Sequence, residues 1–310
     1  MPLSTELVEP IIDGRAYAVE VLRRKNERPD APRLIIISHM INYAGRDILR
    51  ACLDGVRHFT KDPHEVWVVD NNSPRENLNW LFEREEINLA LNRVEPFPRN
   101  VLESGFPSMD DQKQWGSYAN AIGLEIGIRL IDQSCRYVMT MHMDTFPCDR
   151  NWLSFLSSKI DGRVKAAGVR LDRARDPEGV LHVLGYMVDY QMFRKMKLDF
   201  FPELPKMDVG DKVTILLREA GYEVFSCPNT LWEPELDNQI PITSPLKGFR
   251  VDRAFDEEGN IIFLHLGRGV RKSTGDHTSG VSLNTWLGLI YNSLIGPASN
   301  PAAVPGISRN

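Results

Sequence analysis

The chain has 310 residues, of which 42% are hydrophobic and 25% charged, a globular composition sufficient for one large domain or two small ones. Its formal net charge of −5 excludes the overall basic field that drives non-specific binding to nucleic acid, so no nucleic-acid partner is expected. The four cysteines are scattered without a CxxC pair, which favours a reducing cytoplasm over a disulfide framework or a zinc site.

Membrane insertion is not expected. Residues 1–24 carry early acids and no long apolar run, which argues against a cleaved secretory signal. No stretch approaches the roughly 20 apolar residues of a membrane-spanning helix. Residues 281–295 are rich in Leu, Trp and Tyr and could rest on the inner face of a membrane as a peripheral helix. Packing against the main domain is the preferred interpretation, because the segment lacks a Lys/Arg face.

The hydrophobic pattern predicts alternating strands and helices. Strands are expected at 33–38, 65–70, 87–95, 136–141, 164–169, 180–190 and 261–265. Between them, helices are expected at 47–59, 77–86, 117–131, 152–160, 191–197 and 213–220. Such an order predicts an α/β fold with a mostly parallel sheet, which binds ligands outside the carboxyl ends of its strands.

Three regions are expected. Residues 1–30 form an N-terminal extension, residues 31–270 the main domain, and residues 271–310 a C-terminal extension with a helical segment, a loop and a disordered tail. At the end of the first strand, Ser38 and His39 are candidate contacts to a ligand.

The segment Asp70-Asn71-Asn72-Ser73 follows the second strand. An acid at this position can accept hydrogen bonds from a ribose hydroxyl or a base N–H, while the Asn and Ser residues allow a tight turn. The alternative is that the segment is only a turn after a strand.

The segment His142-Met143-Asp144 follows the strand at 136–141. Residues two apart in an extended segment lie on the same side, so His142 and Asp144 can meet at one cation. Imidazole nitrogen with carboxylate oxygen suits Mn²⁺, Mg²⁺ or a related divalent ion. Alternatively, His142 is a core histidine and Asp144 stabilises the following turn.

Two later segments add candidate groups. Asp208 and Asp211 stand at the start of a helix, where a carboxylate stays ionised and can act as a general base. Asp211 is preferred because it is closer to the helix, and capping is the alternative.

His265 ends a strand and could complete a metal site. A cationic loop follows it, whose Arg268, Arg271 and Lys272 are candidate phosphate contacts or, alternatively, an ordinary solvated loop.

Taken in order, these segments resemble the inverting family 2 glycosyltransferases with a GT-A, Rossmann-like fold, over about residues 33–270. The resemblance implies that Asp70 and Asn71 contact the nucleotide, and that Asn120, in Ala119-Asn120-Ala121-Ile122-Gly123, lies beside it. It also implies that His142-Met143-Asp144 is the DxD metal element, with His in place of the first Asp. His265 falls at a C-terminal metal-ligand position, and Asp211 or Asp208 supplies the base.

The expected function is therefore a hexosyltransferase of polysaccharide or glycoconjugate biosynthesis. It would move a sugar from a UDP-, GDP- or dTDP-sugar to a hydroxyl of a carbohydrate or glycoconjugate acceptor, with inversion and with Mn²⁺ or Mg²⁺. Phe200, Phe201 and Trp232 are candidates for stacking on the acceptor. The alternatives are a retaining transferase, a catalytically silent nucleotide- or carbohydrate-binding module, and a sugar-phosphate nucleotidyltransferase. The last is disfavoured because residues 38–43 contain no Gly-rich phosphate loop.

Overall fold

The computed structural model describes residues 5–24, 30–97, 109–170, 179–204, 206–230 and 233–296. The predicted contact of Trp232 and the predicted disordered tail after residue 296 lie outside these residues. By its internal contacts the chain divides into two compact units. The first comprises residues 1–39, 62–143 and 153–227, and the second comprises residues 40–61, 144–152 and 228–310.

The elements alternate along the chain as the hydrophobic pattern predicts. The first half contains β1 (Glu6–Val8), β2 (Ile11–Ile12), β3 (Arg15–Ala16), β4 (Val19–Leu22), β5 (Arg33–Ser38), α1 (Tyr43–Phe59), β6 (Glu65–Asn71), β7 (Ile87–Asn92), α2 (Met109–Leu130) and β8 (Tyr137–His142). The second half contains β9 (Thr145–Pro147), α3 (Trp152–Lys159), β10 (Val164–Arg170), β11 (Leu181–Asp189), α4 (Tyr190–Lys195), α5 (Asp211–Glu219), β12 (Glu223–Cys227), β13 (Asp252–Phe255), β14 (Ile261–His265), α6 (Gly269–Thr274) and α7 (Leu283–Leu289).

The first unit is built on a nine-stranded sheet with the order β1-β4-β7-β6-β5-β8-β11-β10-β12. The central strands β7, β6, β5 and β8 are parallel to one another. Among the nine strands, β4 and β11 run opposite to the other seven. The predicted α/β class with a mostly parallel central sheet flanked by helices is therefore confirmed.

Burial explains why the central strands were recognisable in the sequence. All six residues of β5 are buried, and so is every residue of β6 after Glu65. Strands covered on both faces read as continuous runs of β-branched residues instead of alternating patterns. Helix α2 approaches this sheet closely through two glycines, because a Cβ on Gly127 would lie 2.7 Å from Ile35 Cγ2, and one on Gly123 would lie 3.1 Å from Ile37.

Three parts of the sequence prediction differ from the structure. The predicted helix at 77–86 is wrong, because the segment forms two short 3₁₀ turns, Arg75–Asn77 and Asn79–Glu83. The buried apolar residues of this segment all lie within 78–81, and a single turn is enough to bury them. A longer helix would need apolar residues spaced along one face. The cationic loop predicted after the strand at 261–265 contains helix α6. The strands β1–β4, β9, β12 and β13 were not predicted, and β4 extends the sheet by pairing with β7.

The second unit contains a three-stranded antiparallel sheet, β13-β14-β9, covered by α1 and α7. Phe146 of β9 makes edge contacts with the rings of Phe59, at 5.8 Å, and Trp286, at 6.3 Å. The predicted helical segment at 281–295 forms α7 and a following π-helical turn, Ile290–Leu294. It buries Trp286, Leu289, Ile290 and Tyr291, in agreement with the packing interpretation. No described helix combines the length and hydropathy needed to cross a membrane.

The close contact of α2 with β5 gives a testable prediction. We expect Gly127→Ala to lower the free energy of unfolding by about 1–3 kcal/mol, because the new methyl group overlaps Ile35 in a packed core. Gly116→Ala is the matched control on the same helix, since nothing lies within 4 Å of its added Cβ. It should raise stability by about 0.5–1 kcal/mol, as a helical Gly→Ala exchange usually does. Urea denaturation followed by circular dichroism measures both, and equal effects of the two variants would contradict the packing.

Candidate functional site

Three predicted site residues end neighbouring strands in the first unit. Ser38 closes β5, Asp70 lies near the end of β6, and His142 closes β8. Ser38 is the Cα partner of Asp70, and Ile37 is the Cα partner of His142. Because these strands are parallel, the three polar side chains emerge at the same edge of the sheet, where α/β proteins bind their ligands.

Asp70 is completely buried and bonded within its own turn. One carboxylate oxygen accepts the Ser73 N–H at 2.9 Å, and the other accepts the hydroxyls of Ser38, at 3.0 Å, and Ser73. Burial raises the pKa of Asp70, and the hydrogen bonds from Ser73 and Ser38 oppose this rise. The geometry therefore gives Asp70 the local role of holding the turn after β6. Its contact with a ribose stays a prediction.

Helix α2 is tied to the same edge by two amide side chains. Asn71 donates to the Ala119 carbonyl, and the Asn71 carbonyl lies 2.9 Å from His39 Nδ1. Asn120 lies with Nδ2 at 2.6 Å from His142 Nε2, and its contact with a nucleotide stays a prediction. Its Oδ1 is buried and has no hydrogen-bond partner among the described residues. Turning the amide by 180° lets Oδ1 accept a proton from His142 Nε2, which leaves Nδ1 as the unprotonated nitrogen of a neutral ring.

In the second unit, one row of the small sheet collects three polar side chains. His265 of β14 is the Cα partner of Asp252 on β13 and of Thr145 on β9, the residue after Asp144. Its Nε2 lies 3.5 Å from Asp144 Oδ1, and its Nδ1 lies 3.0 Å from Asp252 Oδ2. Burial alone would lower the pKa of His265, but the Asp144 and Asp252 carboxylates raise it to about 10.

Asp144 is also held by the chain that follows β14. Its Oδ2 accepts the backbone N–H of Gly269 at 2.9 Å, and its carbonyl accepts the N–H of Leu266 at 3.0 Å. A Cβ on Gly269 would lie 2.7 Å from Asp144 Cβ, so this close approach requires glycine. Although Asp144 is only 6% exposed, its carboxylate has a donor on one oxygen and an imidazole facing the other.

Asp144 and His265 together offer a carboxylate oxygen and an imidazole nitrogen that lie 3.5 Å apart. With the imidazole of His142, two residues before Asp144 in the chain, these side chains make up a donor set that suits a divalent transition ion such as Mn²⁺. The chemistry of the donors fits a metal, and the three residues are the ones that sequence analysis named as ligands. That His142 joins the other two at one ion stays a prediction.

The cationic loop after β14 is largely engaged in its own structure. Lys272 Nζ donates to the carbonyls of Leu266, at 3.1 Å, and Val281, at 2.8 Å, and burial lowers its pKa while the Asp144 and Asp252 charges oppose the change. Arg271 is exposed and donates to the Asp276 carbonyl, and Arg268 is exposed with φ of 55°. The phosphate contacts of these three residues stay predictions.

The two candidate bases have different environments. Asp211 begins α5, is buried, and accepts the Asp208 N–H at 2.7 Å through Oδ2. Asp208 is half-buried, and its Oδ1 accepts the Val209 N–H. The Asp211 carboxylate thus holds the turn that precedes α5, and capping stays the alternative for it, while Asp208 is more accessible. Both flank Gly210, whose added Cβ would meet Val183 of β11 at 2.3 Å, so their loop lies on the strand that pairs with β8.

Sequence analysis missed two polar residues beside the predicted ones. His182 has its ring centroid 5.6 Å from that of His142, and Asp252 bonds to His265. Alternation in β13 and β14 around the turn at 256–260 was the available signal for Asp252, whereas nothing local in the sequence marks His182. Of the aromatic candidates, Phe200 is fully buried and cannot stack on an acceptor; Phe201 is half-buried beside Tyr118.

No family model and no curated protein matches the sequence. Similar solved structures include a mannosyltransferase from Pyrobaculum calidifontis in complex with GDP-Man and Mn²⁺, at 16% identity and a TM-score of 0.44, covering 66% of this chain and 57% of that chain. The catalytic domain of a Drosophila β1,4-galactosyltransferase 7 in complex with xylobiose is similar at 10% identity and a TM-score of 0.39, covering 82% and 83%. A 4-diphosphocytidyl-2C-methyl-D-erythritol synthase from Anaerococcus prevotii is similar at 12% identity and a TM-score of 0.41, covering 64% and 89%.

Two of these three are glycosyltransferases, the class that the motifs indicate. The chain spans little more than half of the mannosyltransferase, 57% of its length. With identities of at most 16% and TM-scores of at most 0.44, the likenesses by themselves carry no conclusion about activity.

The contact between Gly269 and Asp144 gives a second prediction. We expect Gly269→Ala to displace the Asp144 carboxylate, lower the free energy of unfolding by about 1–3 kcal/mol and weaken Mn²⁺ binding. Gly288→Ala in α7 is the control, because the nearest atom to its added Cβ is Asn292 Nδ2 at 3.8 Å. Thermal unfolding and Mn²⁺ titration measure the two effects. Unchanged Mn²⁺ binding in a folded Gly269→Ala protein would show that Asp144 has no part in holding the ion.

Proposed function

We propose that the chain is a glycosyltransferase that moves a sugar from a nucleotide diphosphate donor to an acceptor hydroxyl. The observation that carries this proposal is the contact of Asp144, two residues after the end of β8, with His265 at 3.5 Å. In a parallel sheet this is the edge that binds ligands, and a divalent ion there is suited to a diphosphate. The motif order supports the finer assignment to a family 2-like, inverting hexosyltransferase.

Asp144, His265 and His142 would hold the cation, which is Mn²⁺ or Mg²⁺. When bound, it neutralises the charge that develops on a departing nucleoside diphosphate. The charge of Asp144 acts on Lys272, and Arg268 is exposed on the same loop. These positions support the proposal that both side chains bind phosphate oxygens of the donor.

Ser38, His39, Asp70 and Asn71 are proposed to form the nucleotide side of the donor site, with Asn120 orienting His142. Their hydrogen bonds to one another support a rigid edge, because each of these side chains has a fixed partner. A pre-organised edge lowers the entropic cost of binding a nucleotide. The donor classes are UDP-, GDP- and dTDP-sugars, and the acceptor is a carbohydrate or glycoconjugate.

Asp208 is proposed as the general base, with Asp211 holding it in place. A base must reach the acceptor hydroxyl, and Asp208 is the more accessible of the two acids. The Asp211 carboxylate anchors the Asp208 backbone N–H, and the ring contact between His142 and His182 of β11 supports the closeness of this loop's strand to the metal ligands. Removal of the acceptor proton would accompany attack on the anomeric carbon from the face opposite the leaving group, with inversion.

A second candidate is a binding module of the same fold without turnover. It is favoured by one observation, the ion pairing of His265 with both Asp144 and Asp252, which balances these carboxylates without a metal. Such a module would bind a nucleotide equally well with and without divalent ions.

Isothermal titration of the full chain with UDP, GDP and dTDP, each with Mn²⁺ and with EDTA, tests the proposal. We expect one nucleotide to bind with Mn²⁺ and to lose at least tenfold in affinity with EDTA or in Asp144→Ala. Asp149→Asn, whose carboxylate caps its own turn at Asn151, is the control and should bind as the wild type does. Nucleotide binding that is unchanged by EDTA and by Asp144→Ala favours the silent module. If no nucleotide binds, the proposed donor site is wrong.

A further prediction distinguishes the roles of Asp208 and Asp211. Asp208→Asn should lower kcat by about 10²–10⁴-fold, the usual loss on removing a general base, with little change in stability. Asp211→Ala should lower the free energy of unfolding by about 0.5–2 kcal/mol, because the Asp208 N–H loses its acceptor at the helix start. Steady-state sugar transfer and urea denaturation measure these effects. Full activity in Asp208→Asn would return the base assignment to Asp211.

A further inference from the structure

Asp252 was not predicted, and its placement is set by the hairpin β13–β14. It is the Cα partner of His265, so the two side chains meet directly across the hairpin. The Asp252 carboxylate reaches His265 Nδ1 at 3.0 Å, while Nε2 of the same ring lies 3.5 Å from Asp144. The imidazole is therefore held at both nitrogens, by a different carboxylate at each.

The charge of Asp252 is available to this histidine. Its neighbour Arg253 turns away, because adjacent residues of a strand face opposite sides. The Arg253 guanidinium donates to Asp237 at 2.6 Å and to the Leu246 carbonyl at 2.8 Å. Asp252 is thus left facing His265, with a side chain that is 22% exposed against 15% for the histidine.

We propose that Asp252 is a positioning residue for the metal site: it accepts the Nδ1 proton of His265 and directs Nε2 toward a cation shared with Asp144. This inference rests on the proposed function. Metal-binding histidines commonly donate their second ring nitrogen to a carboxylate, which fixes the tautomer and the ring orientation and strengthens the ligand. Without Asp252 the ring can turn about its χ2 bond, and either nitrogen can face Asp144.

The experiment is a Mn²⁺ titration of the full chain, followed by the electron paramagnetic resonance signal of the free ion. We expect Asp252→Ala to weaken Mn²⁺ binding by about 10–100-fold, the usual range for such outer partners. Asp252→Asn should lose less, because its amide oxygen still accepts the Nδ1 proton. Asp256→Ala is the control in the same hairpin, since the Asp256 carboxylate holds only the turn residues Glu258 and Asn260, and its Mn²⁺ affinity should match the wild type.

A spectroscopic readout separates positioning from a general loss of structure. The ¹⁴N modulation of the bound Mn²⁺ signal, assigned to His265 with His265→Ala, should be lost or altered in Asp252→Ala and retained in Asp256→Ala. Unchanged affinity with unchanged ¹⁴N modulation in Asp252→Ala overturns the inference and leaves the proposed function standing. A wild-type chain that binds a nucleotide but no Mn²⁺ overturns both the inference and the metal-assisted mechanism.

Discussion

The parallel pairing of β5 with β6 on one side and with β8 on the other is the constraint on which the candidate site depends. Parallel strands end at one edge, so Ser38, Asp70 and His142 emerge together only in this register. A shift of one residue would turn each of these side chains to the opposite face of the sheet. Helix α2 maintains the arrangement, because Gly123 and Gly127 allow it to lie directly on β5 while Asn120 reaches His142.

In the second unit, the contacts balance the charges of two carboxylates that lie beside one histidine. A buried charge is costly unless it is paired and hydrogen-bonded. Asp144 receives the Gly269 N–H on one oxygen and faces His265 with the other, and Asp252 completes the row. These contacts come from three segments of the chain: the residue before β9, the hairpin β13–β14 and the start of α6. Of these groups, the Asp144 carboxylate and the His265 imidazole are the ones that suit a divalent ion.

The sequence predicted the features that depend on local patterns. The buried runs of β5, β6 and β8 are continuous, and the polar residues that follow them fall where a parallel sheet must place them. The 3₁₀ turns before β7 were misread as a helix because a short apolar run has no decisive period. The roles of Asp252 and Gly269 were not predicted from the sequence for another reason. Their roles depend on contacts with His265 and Asp144, and Gly269 lies 125 residues from Asp144 in the chain.

The acids that the sequence singled out differ in how far along the chain their hydrogen-bond donors lie. Asp70 and Asp211 accept backbone N–H groups from residues three positions away, Ser73 and Asp208. Bonds of that kind stabilise a turn or a helix start and need no ligand to explain them. Asp144 instead accepts a donor from a remote loop and faces a histidine from another strand. Local capping does not account for either contact, and bringing distant segments together costs chain entropy. Asp144 is therefore the acid whose contacts local chain structure does not explain and a bound cation would use.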